Sequence, residues 1–202
     1  MDVLKPPTES PLGDHDVPLE GDRLRGKNVA LLVCGGIAAI KAPMLARDLR
    51  RQGAGVTAFV SADALNYTTV TALEWATTQK VVSRLTSDSE HLHKSAPFDA
   101  YLVAPATYNT INKFACGIAD TVLTTTLAAA LGLLEKGRAR IVVVPTMHGD
   151  MHNSVLTENV NRLAGKGVVF MPPRDAYGKH NLPEPRDIVR FLSEVLASPI
   201  HS

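Results

Sequence analysis

Side chains suited to chemistry gather in three short segments of this sequence. Pro105-Ala106-Thr107-Tyr108-Asn109-Thr110 places three short polar side chains where helical spacing begins, directly after an apolar run at residues 99–104. Cys34-Gly35-Gly36 follows a second apolar run, and Thr146-Met147-His148-Gly149-Asp150-Met151-His152 follows a third, which ends at Pro145. Hydroxyls and free N–H groups at a strand-to-helix turn suit a phosphorylated ligand. An ordinary helix cap uses the same residue types, and paired glycines also serve tight turns and close helix–sheet packing. The polar stretch 86–94 holds His91 and His93, each able to titrate near neutrality and each equally readable as a solvated loop histidine.

The elements that position these segments alternate between strand and helix. Residues 28–33 form a continuous apolar strand of the kind buried on both faces of a parallel sheet. A helix over 37–52 follows, with Ile40, Met44, Leu45 and Leu49 inward and Gly53 closing it, then a strand over 55–60, which completes a right-handed βαβ unit. Helical spacing is possible over 66–78 and an extended piece over 80–85. The strand at 99–104 should stop at Pro105, which has no N–H to donate, and a helix should follow with Ile111, Phe114, Ala115 and Ile118 on one face. An apolar helix over 120–134, a strand over 141–144, a helix over 153–164, a strand over 168–171 and a closing helix over 185–196 complete the pattern. This alternation predicts a single α/β domain, a three-layer doubly wound parallel sheet of Rossmann-like type. The three polar segments then lie along one edge of it.

The first strand-to-helix turn lacks the G-x-G-x-x-G fingerprint, and Ser61 stands where a dinucleotide fold carries its ribose-binding acid. A hydroxyl there suits phosphate, so a mononucleotide is expected rather than NAD. The net charge of +1 gives no case for nucleic acid or an acidic membrane surface. Two cysteines, Cys34 and Cys116, have neither metal-ligand spacing nor a disulfide framework, which fits a reducing cytoplasm. No apolar run reaches membrane-spanning length, and no signal-peptide pattern opens the chain. Residues 1–26 contain four prolines and several acidic residues, and read as a flexible arm ahead of a domain over 27–198.

Three stretches in register carry a family resemblance: 33–41 (VCGGIAAIK), 104–115 (APATYNTINKFA) and Pro145-Thr146-Met147 with Met151. They resemble the homo-oligomeric flavin-containing cysteine decarboxylases. That family includes phosphopantothenoylcysteine decarboxylase and the enzymes that decarboxylate the C-terminal cysteine of lantibiotic-type precursor peptides. The resemblance implies FMN as cofactor, with its phosphate held by Gly35, Gly36 and Ile37 and helped by Ser61. It implies that Ala106, Thr107, Asn109 and Thr110 lie against the flavin, that Met147, His148 and Met151 meet the substrate, and that His91 is the active-site histidine. Cys34 stands where relatives have Ser or Thr, so one hydroxyl contact is expected to be missing. Homotrimers or dodecamers are implied as well, and the apolar helix over 120–134 serves either a subunit interface or the core.

The implied chemistry explains these residue types. A carboxylate leaves as CO2 only if the electrons left behind have a sink, and a cysteine thiol offers none. Oxidation of the thiol-bearing carbon to a thioaldehyde creates that sink, and decarboxylation then gives an enethiolate. The cofactor supplies the oxidant, while a histidine accepts or stabilises the thiol proton. Two departures from the family pattern bear on substrate. The third motif has His148 where the family has a carboxylate-gripping Asn, and His152 where it has an aromatic residue. A histidine can still donate to a carboxylate. In residues 172–183, PPRDAYGKHNLP, the cysteine carried by coenzyme A pathway relatives is absent. Arg174, Tyr177, Lys179 and His180 there read as a mobile flap or as a plain solvated loop. The ligase domain commonly fused to bacterial phosphopantothenoylcysteine decarboxylases is not expected here. The expected reaction is oxidative decarboxylation of the C-terminal cysteine of a precursor peptide to an aminoenethiol. Decarboxylation of phosphopantothenoylcysteine is the alternative, followed by flavin prenyl transfer or non-catalytic flavin binding.

Overall fold

The computed structural model describes residues 4–90, 92 and 98–199. Strands β1 (Asn28–Val33), β2 (Gly55–Val60), β3 (Ala100–Ala106) and β4 (Arg140–Pro145) are parallel. The two-residue β5 (Met147–His148) leaves their sheet, and β6 (Val169–Phe170) rejoins it beside β4. The order β2-β1-β3-β4-β6 means that the chain winds outward from β1 to β2, then crosses back to the other side of β1 to lay down β3. Connections leaving β1 and β3 therefore diverge, and the carboxyl ends of these two strands open a crevice.

Alternation along the strands builds a core on each face. Val29, Leu31 and Val33 pack with α1 (Ala42–Arg51), α2 (Val70–Thr77) and α6 (Pro185–Ala197). Ala30 and Leu32 pack with α3 (Tyr108–Ala115), α4 (Val122–Leu134) and α5 (Ser154–Ala164). Helices on both faces give the expected three layers. The apolar side of α4, including Leu123, Leu127 and Ala130, enters the second core. No helix among the described residues is long and apolar enough to cross a membrane.

Several local expectations need correction. The helix expected over 37–52 starts as a 3-10 turn, Ile37–Lys41, and becomes α-helical only at Ala42. The tighter turn changes the phase of the apolar stripe, so Ala39, Ala42, Leu45, Ala46 and Leu49 face inward while Ile40 and Met44 are 55% and 54% exposed. Residues 62–66 form a second 3-10 turn, and α2 begins only after the Thr69 cap. The piece over 80–85 contributes a single bridge, Val82 to Phe59. β3 continues through Pro105 to Ala106. The missing N–H appears instead as a register shift between Val103 and Ala106, and the Pro105 carbonyl accepts the Cys34 N–H at 3.3 Å. Ile118 lies beyond the end of α3 and is exposed.

Two further features were not legible in the chain. Leu24 is completely buried, and the Leu24 N–H donates to the Gln52 carbonyl at 2.9 Å, so packing begins ahead of residue 27. Residues 4–16 of the expected arm are exposed. β7 (Arg174–Ala176) and β8 (Lys179–Asn181) form a hairpin that joins β5 in a separate antiparallel sheet of order β5-β8-β7.

Candidate functional site

A cleft of about 930 Å³ opens at the carboxyl ends of β1 to β4. Backbone hydrogen bonds stitch the strand ends that frame it: Ser61 N–H to Val33 at 3.1 Å, and Thr146 N–H to Ala106 at 2.9 Å. At the β1 end the two glycines have different reasons to be glycine. A Cβ on Gly35 would lie 2.3 Å from the Asp63 Cβ and 2.9 Å from its backbone carbon, so the fold itself requires none there. A Cβ on Gly36 would meet nothing nearer than Thr107 Cγ2 at 3.7 Å. It would occupy cleft space beside Thr107 and clash with no protein atom. No side chain caps the 3-10 turn that starts here. The N–H groups of its first residues therefore lack intrahelical acceptors at the cleft edge.

Hydroxyls converge from two neighbouring strand ends. Ser61 Oγ accepts the Ala64 N–H at 3.2 Å, which leaves its own hydrogen free to donate. Thr107 caps α3 by accepting the Thr110 N–H at 3.5 Å, and its hydroxyl donates to Thr110 Oγ1 at 3.3 Å. Beneath them Cys34 is 1% exposed and does not line the cleft. Burial pushes its thiol above the ordinary range, against hydrogen bonds from Thr110 and Thr107 that pull the other way. A neutral thiol buried beneath the site is the result.

The opposite end is built by β5 and the hairpin. Met147 is nearly buried, while His148 and Met151 are exposed at the opening. His148 Nδ1 lies 3.3 Å from both the backbone nitrogen and Oδ2 of Asp150, which ties the ring to the turn through that nitrogen, and no hydrogen bond among the described residues engages Nε2. A carboxylate is a fitting partner. Between the ends, Lys113 donates to Asp120 at 2.6 Å, tying the end of α3 to the approach of α4. That hydrogen bond holds the Asp120 carboxyl below its ordinary range, and Thr124 Oγ1 donates to its other oxygen at 3.3 Å.

Of the residues expected to act here, Gly35, Gly36, Ile37, Ser61, Thr107, Asn109, Thr110, Met147, His148 and Met151 all line this cleft. Ala106 does not, being fully buried as the last residue of β3. His91 lies outside the described residues. Arg84, Lys113, Asp120 and the first turn of α4 also line the cleft, and no sequence expectation covered them. Lys113 lies inside the second family-like stretch, which was the available signal. Arg84 had none, because it reaches the site only through the single bridge at Val82. In the hairpin, Lys179 and His180 face the cleft, whereas Tyr177 stands at the tip, 93% exposed with φ of 55°.

These residues fit a flavin mononucleotide. The space left at Gly36, the uncapped N–H groups and the Ser61 hydroxyl suit a phosphate, and Val122, Leu123 and Met147 give an apolar wall for a ring system. The family model described as Flavoprotein matches residues 19–197. The coenzyme A biosynthesis bifunctional protein CoaBC of Thermococcus kodakarensis is 37% identical over 172 residues, covering 83% of this chain and 41% of the relative. The CoaBC of Methanocaldococcus jannaschii is 30% identical over 176 residues, 87% of this chain and 42% of the relative. The chain thus spans about two fifths of the length of these curated relatives. Among solved structures, the FMN-dependent cysteine decarboxylase SpaF superposes with a TM-score of 0.73 at 24% identity, covering 87% of this chain and 99% of SpaF. A PPC decarboxylase mutant complexed with pantothenoylaminoethenethiol superposes at 0.69 with 24% identity, covering 86% and 100%.

Proposed function

We propose, from the premise that this chain belongs to the Flavoprotein family, that it is an FMN-dependent decarboxylase of a substrate ending in a cysteine carboxylate. The observation that carries this reading is the single cleft running from the glycine turn of β1 to the His148 segment after β4. Phosphate-suited groups stand at one end of it and a carboxylate-suited donor at the other. Bound FMN supplies a two-electron oxidant, the electron sink that a cysteine thiol lacks.

The chain's own residues bind, orient and move protons. The Gly36 and Ile37 N–H groups with the Ser61 hydroxyl hold the cofactor phosphate, and Thr107, Asn109 and Thr110 lie along the cofactor. His148 donates from Nε2 to the substrate carboxylate, and Met147 and Met151 flank the thiol-bearing carbon. His91 accepts the thiol proton, because a free thiol is mostly protonated at pH 7 and the thiolate is the electron-richer form to oxidise. Once that carbon carries a C=S bond, CO2 leaves and an enethiolate remains.

In the finer reading the substrate is the C-terminal cysteine of a precursor peptide and the product an aminoenethiol; the absence of cysteine from residues 172–183 supports it. A second reading, decarboxylation of phosphopantothenoylcysteine, is favoured by the 37% identity to CoaBC. Incubating the FMN-loaded protein with cysteine-ended peptides and with phosphopantothenoylcysteine, followed by mass spectrometry, separates them. Loss of CO2 with two hydrogens from a peptide supports the first, and loss of CO2 alone from phosphopantothenoylcysteine the second. No mass loss from either substrate overturns both. His91→Asn is expected to abolish turnover while the protein stays yellow; unchanged turnover removes His91 from the mechanism.

A further inference from the structure

We propose that Asp175, His180 and His152 form a latch that holds the β7–β8 hairpin against the cleft and releases it on acidification. His180 stands opposite Asp175 in the hairpin register and opposite Met147 of β5. Its Nδ1 lies 2.5 Å from Asp175 Oδ1, and its Nε2 lies 2.7 Å from Nδ1 of His152, which sits 28 positions earlier in the chain. The hairpin is thereby tied to the segment that carries His148 and Met151.

The protons follow from the partners. A carboxylate only accepts, so His180 Nδ1 carries a proton and donates it. One further proton lies on the line between His180 Nε2 and His152 Nδ1, because a hydrogen bond needs one donor and one acceptor. His152 Nε2 takes part in neither bond. The pair therefore accepts a first extra proton at that nitrogen with both hydrogen bonds intact. A second extra proton puts two N–H groups face to face at 2.7 Å and breaks the tie. Beyond that first proton the closed hairpin binds one proton fewer than the open one, so closure weakens as pH falls through the second step.

Asp175 is the carboxylate facing His180. Arg174 and Lys179 take the alternate positions of the hairpin, and His148 with Asp150 the equivalent place on β5 and the turn after it. The second imidazolium forms beside the first.

Hydrogen exchange on the full FMN-loaded chain tests the latch without any substrate, so its failure leaves the proposed reaction standing. The readouts are the Gly149 amide, which donates to Gly178 at 2.9 Å, and peptides covering residues 174–181. With the intrinsic pH dependence removed, their exchange should rise about tenfold or more between about pH 7 and about pH 5, the size expected for losing a charge-assisted hydrogen bond. Amides of β1 should show no matching rise. His152→Gln keeps a hydrogen-bonding group that does not titrate, and should abolish the step. His152→Ala, at an exposed position outside the cleft wall, should exchange fast at every pH with FMN affinity unchanged. Flat exchange in the wild type, an equal step in His152→Gln, or a parallel rise in β1 overturns the proposal.

Discussion

Two adjacent glycines at the end of β1 should fail in opposite ways when given a methyl group. In Gly35→Ala the new Cβ would lie 2.3 Å from the Asp63 Cβ, 2.9 Å from the Asp63 backbone carbon and 3.1 Å from the Ala64 nitrogen. Two of these are backbone atoms of the turn after β2, so relief requires that turn to move. Overpacking of this kind costs about 1–3 kcal/mol, or a fall in Tm of about 2–12 °C for a chain of this size. In Gly36→Ala the nearest atom is 3.7 Å away and the backbone is extended, with φ of −169°, a conformation any residue adopts. Its Tm without cofactor should stay within about 2 °C of wild type, since a substitution that clashes with nothing falls within about 0.5 kcal/mol. The added methyl takes space from the cofactor phosphate, and FMN affinity should fall about tenfold or more. Thermal melts of both apo variants and FMN titration by flavin fluorescence read the contrast. Equal melting points for the two variants, or undiminished FMN affinity in Gly36→Ala, would refute the assignment of one glycine to folding and the other to the ligand.

Other predictions rest on separate features. Asp120→Asn should lower stability at neutral pH, because the Lys113 hydrogen bond holds the Asp120 carboxyl below its ordinary 3.8. A depressed carboxyl pKa contributes stability that is present above the unfolded value and lost as pH falls through the folded one, so wild type and variant should converge in urea melts below about pH 3.8. Cys116 should alkylate first in the native protein at about pH 8, with Cys34 reacting only on unfolding, since Cys34 is buried with its thiol pushed up and Cys116 is exposed. Intact mass after iodoacetamide should show one adduct in native buffer and two in urea. Leu24→Ala should cost about 2–5 kcal/mol in urea unfolding, because Leu24 is completely buried. An effect below about 0.5 kcal/mol would mark residues 20–26 as dispensable.

Much of this protein could be read from its residues alone. Continuous apolar runs such as VALLV at residues 29–33, separated by helical spacing, fixed a parallel sheet covered on both faces, because only strands buried on two sides are apolar at every position. The glycine turn, Ser61, the Thr107 segment and the Met147 segment were legible as site candidates because each directly follows a strand, and parallel strands send their carboxyl ends to one edge. Periodicity fixes which elements exist, but it misplaced Ile40 and Met44, since a 3-10 start shifts the phase of the stripe without changing the residues. Long-range packing decided the rest. Leu24 becomes core only because α1 and β2 are there to cover it, Arg84 joins the cleft through one bridge to Phe59, and Asp175, His180 and His152 meet only when the hairpin folds back on β5. Such contacts join residues far apart in the chain, and no local pattern of side chains encodes a distance that only the finished sheet sets.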